Sequence, residues 1–111
     1  MTPRLNRRLT LEAPEHLSDG AGGFNQNWTP LGILWAELTA RAGREGEQSG
    51  AAVSSVSYKI VVRATPLGSV QRPTSKHRFR DGSRIFRIQA VAETDAEGRY
   101  LTCFANEELA S

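Results

Sequence analysis

The sequence predicts an all-β fold: a small β-barrel of about six strands with long loops and at most one short helix. Three observations point there. Apolar residues alternate with polar ones over several short stretches, most clearly in "VSSVSYKIVVRA" at 53–64. Glycine and proline turn signals recur between those stretches. No long segment carries a helical apolar period, so a closed sheet with a core inside it is the simplest way to bury the apolar face. A sandwich is the other closure this pattern allows.

The elements follow in order. Residues 5–13, "LNRRLTLEA", place Leu5, Leu9 and Leu11 on one parity and read as the first strand. Pro14 is expected to end it, because proline cannot donate to a central ladder. Residues 14–31 then read as a long loop, with Gly20, Gly22 and Gly23 inside "LSDGAGGFNQNW". Residues 33–41, "ILWAELTAR", form the second strand. Its Leu34, Ala36, Leu38 and Ala40 face is the expected core side. Residues 42–52, "AGREGEQSGAA", are polar, small and glycine-interrupted, and read as a long mobile excursion between strands. A short helix from Arg44 to Ala52 is the alternative, weakened by Gly46 and Gly50.

Residues 53–64 are the third strand, with Val56, Tyr58, Ile60 and Val62 on its buried face. Residues 65–75 are a loop broken by Pro66, Gly68 and Pro73. "KHRFRDGSRIFRIQAVAE" is a hairpin signal with Asp81 and Gly82 as its turn. "TDAEG" is a second turn, and "RYLTCFANEE" the last strand. The aromatics Trp35, Tyr58, Phe79, Phe86, Tyr100 and Phe104 lie in these strands and are expected in the core. Phe24 and Trp28 flank the glycine loop and are expected to close one end of the barrel.

A chain of 111 residues, 39% of them hydrophobic, has room for one domain with one modest core, taken as 1–111. No apolar run approaches the roughly 20 residues of a membrane helix, and no signal peptide is expected behind "MTPRLNRRLT". Cys103 is the only cysteine, which fits a reducing compartment. The net charge of +2 conceals segregation: +3 over 1–8, −4 over 9–58, +7 over 59–87 and −4 over 88–111. Arginine supplies 12 of the 14 basic residues, the type suited to interface ion pairs and phosphate contacts. Neighbouring strands that balance this block, an anionic polymer, or opposite patches on adjacent subunits would each account for it.

Little points to catalysis. His16 and His77 are the only histidines, and neither has a second ligand at metal spacing. Cys103 alternates within the last strand and reads as a small buried hydrophobe. Glu45 and Glu47 lie in a polar loop that would not hold an acid–base pair rigidly. The glycines at 20, 22 and 23 lack the lysine and the helix of a phosphate cradle. No catalytic, cofactor-binding or metal-binding residue is expected.

In order along the chain, "LNRRLTL" (5–11), "DGAGGFNQNW" (19–28), "LWAEL" (34–38), Gly43-Arg44-Glu45, "SYKIVVRA" (57–64) and "RFRDGSRIFRIQAV" (78–91) resemble the small head–tail joining proteins of tailed bacteriophages. These are also called head-completion or stopper proteins, and related ones occur in phage-like gene transfer agents. The stretch between Arg63 and Arg78 is longer and more proline-rich than the family pattern. The resemblance implies a non-enzymatic β-barrel in the neck of a virion or phage-like particle, assembled in the bacterial cytoplasm, with no cofactor and no membrane. It implies a homo-oligomeric ring, hexameric or dodecameric, on a portal-bound adaptor ring. Tail terminator or tail proteins would dock on it, and double-stranded DNA would pass through.

On that reading Arg41, Arg44, Glu45, Glu47 and Gln48 are candidates for a loop facing the channel or a partner. Their local charge is close to neutral, as suits a channel that must not grip DNA. Arg63, Arg72, Lys76, Arg78, Arg80 and Arg84 are candidates for contacts with neighbouring subunits or partners. A small nucleic-acid-binding barrel is the main alternative, and a small enzyme or ligand-binding barrel the weaker one.

Overall fold

The computed structural model describes residues 2–18, 20, 24–41, 44–48 and 51–108. The strands are β1 (Arg7–Ser18), β2 (Phe24–Ala40), β3 (Arg44–Gln48), β4 (Ala51–Ser55), β5 (Ser57–Arg63), β6 (Arg78–Asp81), β7 (Arg84–Glu93) and β8 (Tyr100–Glu108). No helix occurs among the described residues. β1-β2-β5-β8-β7-β6 close into a barrel in which every neighbouring pair is antiparallel. These six are the strands that the alternation predicts. Closure leaves no sheet edge around the core.

The core follows from the period of two. Leu9 and Leu11, Leu34 and Ala36, Ile60 and Val62, Phe79, Phe86 and Ile88, and Leu101, Cys103 and Ala105 all point inward. Val61 and Thr102 are buried on the outer face. The segment before β1 lies across this side: the Arg4 backbone N–H donates to Glu37 Oε2 at 2.8 Å, and Thr2 and Pro3 line a cavity with Thr94 and Tyr100.

The structure corrects several expectations. Pro14 does not end β1. It sits opposite Trp28 in a long hairpin arm in which 12–18 pair with 24–30, so much of the expected 14–31 loop is strand. Beyond Glu12, β1 has no ladder partner on its β6 side, and an edge tolerates a residue without an N–H. A bulge between Leu11 and Glu12 leaves Leu31 unopposed as the arm leaves the barrel. Residues 19 and 21–23 at its tip lie outside the described residues.

The 42–52 excursion is neither helix nor irregular loop across its whole length: β3 and β4 pair as a two-stranded ribbon. Residues 42, 43, 49 and 50 lie outside the described residues. The 53–64 strand is interrupted at Val56, whose carbonyl accepts the Glu107 N–H at 3.1 Å. The β6–β7 turn falls one residue later than expected, on Gly82 and Ser83, because Asp81 is paired with Arg84 in the ladder. Gly82 has φ +61°, which suits glycine. Residues 64–77 form a strandless connection, longer than the 65–75 loop read from the sequence because β5 ends at Arg63 and β6 starts at Arg78, and it is ordered by turns such as Ser69 N–H to Pro66 O at 3.0 Å.

The antiparallel order sorts the connections between two ends. The β1–β2 arm, residues 64–77 and the β7–β8 turn share one end. The β3–β4 ribbon, the β6–β7 turn and the end of β8 share the other.

Candidate assembly surfaces

Part of the basic block is paired within the chain: Arg78, Arg80, Arg84 and Arg87 each meet an acid. Arg78 Nε donates to Glu12 Oε1 at 2.6 Å, and Arg80 Nη1 lies 3.6 Å from Glu12 Oε2. Both groups are on the outside of the barrel, yet Glu12 is only 4% exposed. The Trp28 ring lies against the arginine side of this pair: the Arg78 guanidinium is 4.1 Å and that of Arg87 5.1 Å from its centroid. Arg87 in turn pairs with Glu108 at 3.3 Å. Trp28 therefore fastens the base of the arm to β6 and β7.

A second cluster lies at the β3–β4 end. Arg84 grips Glu107 through Nε and Nη2 at 2.8 and 3.1 Å, and Nη2 also donates to the Tyr58 hydroxyl at 3.1 Å. Tyr58 packs edge-to-face on Phe86, centroids 5.2 Å apart. The hydrogen bond from Arg84 holds the Glu107 carboxyl below the usual carboxylate range, and the same bond raises Arg84. Asp81 pairs with Arg7 at 2.7 Å. Arg80 also donates to the Gly82 carbonyl at 3.0 Å.

Of the other candidates, Arg63 lies 5.8 Å from the Tyr100 ring, Arg72 donates to the Thr65 carbonyl at 2.6 Å, and Lys76 is exposed. The structure thus brings Arg78, Arg80 and Arg84 together with acids of their own chain and leaves Arg63, Arg72 and Lys76 without an ion pair among the described residues. Arg41 is exposed at the root of the β3–β4 ribbon, with its guanidinium 5.3 Å from the Phe104 ring. Only the backbone of the ribbon is described: Arg44, Glu45, Glu47 and Gln48 pair with Ser55, Ser54, Ala52 and Ala51.

The aromatics divide differently from expectation. Phe79 and Phe86 are core. Tyr58, Tyr100 and Phe104 are half-buried beneath arginines. Trp35 is 54% exposed, because its parity is opposite to that of Leu34 and Ala36. Trp28 is stacked on the outside of the barrel, and the Phe24 side chain lies outside the described part.

Sequence reasoning missed an apolar strip. Ile33 (48% exposed) and Trp35 stand on the outer face of β2, with Leu67 (86%) and Val70 (71%) on the 64–77 connection. Ile33, Trp35, Arg63, Ala64 and Gln71 line one groove of about 260 Å³, which places the connection beside β2. The signal was available: alternation that sends Leu34 and Ala36 inward sends Ile33 and Trp35 outward.

Burial pushes the Cys103 thiol up to about 12, which removes its nucleophilicity. His77 Nδ1 accepts the Thr74 N–H at 3.2 Å, and desolvation lowers its pKa. No group of three or more His, Cys, Asp or Glu gathers to hold a metal among the described residues. No helix among them is long and apolar enough to cross a membrane.

The architecture is a closed antiparallel barrel with projecting hairpins and outer faces cross-tied by arginine. The chain belongs to the phage head completion protein family, whose model matches residues 1–108. It is also similar to a chain in a solved structure described as the virion of a native gene transfer agent particle. The two share 51% identity over 99% of this chain and 100% of that one, with a TM-score of 0.85. No curated protein matches it. A head completion protein is a structural component of the virion, where it meets other head and tail proteins of the particle.

Proposed function

We propose that copies of this chain form a closed ring in the particle's neck, a hexamer or a dodecamer, seated on a portal-bound adaptor ring. The ring stops the exit of packaged double-stranded DNA and offers a docking surface to tail terminator or tail proteins. It does this without catalysis. The observation that carries the reading is the two-ended build of the barrel, with the β3–β4 ribbon at one end and the β1–β2 arm, residues 64–77 and the β7–β8 turn at the other. Such a subunit can touch one partner above and another below while its barrel walls meet neighbours.

In this reading the ribbon faces the channel. Arg44, Glu45 and Glu47 fall within four residues of sequence, a local balance close to neutral, so a ring of copies would not multiply a positive charge around the axis. That matters because about 6–10 phosphate contacts suffice to hold DNA strongly at low salt. The test is to delete the gene in cells that build the particle and image the products. Heads that lose DNA and lack tails are expected, and cryo-EM of complete particles should show a multi-copy ring with the ribbons at the axis. DNA-filled, tailed particles without the chain would overturn the reading.

A further inference from the structure

We propose that the turn entering β6 is a pH-sensitive latch: neutral His77 holds residues 74–77 closed, and protonation of its ring opens them. The inference does not depend on the ring reading.

Hydrogen-bond geometry carries it. His77 Nδ1 accepts the Thr74 backbone N–H at 3.2 Å, while the His77 backbone N–H donates to the Thr74 carbonyl at 3.1 Å. The two bonds tie the same pair of residues in opposite directions. A third, from the Lys76 N–H to Thr74 Oγ1 at 3.2 Å, completes the turn. An imidazole nitrogen that accepts a hydrogen bond carries no proton, so the ring here is neutral with its hydrogen on Nε2. A proton taken from solvent at Nδ1 converts that acceptor into a donor and sets it against the Thr74 N–H. The bond is lost and the backbone at Thr74 must move away.

The surroundings give the imidazolium no compensation. The charged groups on the elements beside it are Lys76 and Arg78 on its own segment, Arg87 on β7 and Glu12 on β1. Glu12 is already engaged by Arg78 and Arg80, and no carboxylate lies within ion-pair distance of His77 among the described residues. A new cation here therefore meets cations and no free acid. Desolvation also opposes charging, so the ring takes its proton below its ordinary range. The latch is closed at neutral pH and opens in acid.

The turn lies between fixed points. Pro73 before it is fully buried, and Arg78 after it is held by Glu12. The His77 carbonyl accepts the Ile88 N–H at 3.3 Å, which ties the far side of the turn to β7. Movement is thus confined to 74–77, at the end of the barrel shared with the β1–β2 arm, and acid reshapes that end while the barrel keeps its register.

The test is amide exchange and ring titration by NMR on the full chain between about pH 7.5 and 5. Protection of the Thr74 amide, relative to an unstructured chain at the same pH, should fall by about fivefold, the weight of one net hydrogen bond. The midpoint should coincide with the His77 ring titration. The Arg72 N–H, which donates to the Ser69 carbonyl at 3.1 Å in the same connection, should keep its protection. His77→Asn places a carbonyl oxygen where Nδ1 stands and takes up no proton, so Thr74 should stay protected throughout. His77→Phe has no acceptor, so Thr74 should be unprotected throughout. The wild type and the asparagine variant decide the matter if the phenylalanine variant does not fold. Three results would overturn the latch: Thr74 protection unchanged while the ring titrates, an acid loss as large in His77→Asn as in the wild type, or a loss shared equally by Arg72 and the β5 and β8 amides.

Discussion

Glu12 and Arg78 form a 2.6 Å ion pair on the outside of the barrel, and the Trp28 ring covers it. The side chains are 6% and 12% exposed, so this is a desolvated pair at a surface position. Removing one partner strands the other charge. Glu12→Ala or Arg78→Ala should each cost about 3–5 kcal/mol in denaturant unfolding. Arg78→Lys should restore only part, because the ammonium lacks the planar fork that both pairs and stacks. Loss below 1 kcal/mol would mean that water reaches the pair.

Trp28→Leu tests the cover separately. It removes two guanidinium–ring contacts and should cost on the order of 2 kcal/mol. Its effect should be non-additive with Arg78→Ala in a double-mutant cycle, since the residues share one contact.

Acid should weaken the fold in two stages. His77 is held below its ordinary pKa by desolvation, so the unfolded chain binds that proton more readily and stability falls as pH drops below about 6.5. Glu107 is held low by Arg84. Desolvation raises Asp95, but the hydrogen bonds it receives, led by the backbone N–H groups of Tyr100 and Arg99, together outweigh it and hold Asp95 low as well. Their contribution is complete above the ordinary carboxylate range and is lost as pH falls through about 4 towards the folded values. Denaturant midpoints between pH 8 and 3 should fall in that order, and His77→Gln should remove the first stage only.

Cys103 should be silent in the native protein. With its thiol buried and raised to about 12, maleimide at pH 8 should label it only as fast as the chain unfolds. Rapid labelling without denaturant would show that the barrel opens locally.

Replacing residues 44–55 by a short flexible linker should leave the barrel folded, because the β3–β4 ribbon contributes no strand to it. Circular dichroism and thermal unfolding should stay close to wild type. Particles built with the variant should lose packaged DNA on storage. A variant that unfolds would show that the ribbon is part of the core.

The barrel strands were legible because each buries one parity of a two-residue repeat, as in Ile60 and Val62 or Leu101 and Cys103. The hairpin arm was not. Pro14 and the glycines signal a break, and only the cross-strand pairing of 12–18 with 24–30 reveals a strand there. The ribbon was hidden in the same way, since "REGEQ" and "AAVSS" have little strand propensity of their own. Charge segregation was visible, but pairing was not. Glu12 and Arg78 are 66 residues apart, and nothing local to either announces the other. Trp35 was misassigned because its aromatic character outweighed its parity.

The bond from Arg41 N–H to Ser57 O, at 2.8 Å, closes the neck of the β3–β4 excursion. Barrel registration resumes on either side of that clasp, with Ala40 beside Tyr58. The segment it encloses is thus a cassette whose length and chemistry can be exchanged while the host scaffold keeps its register.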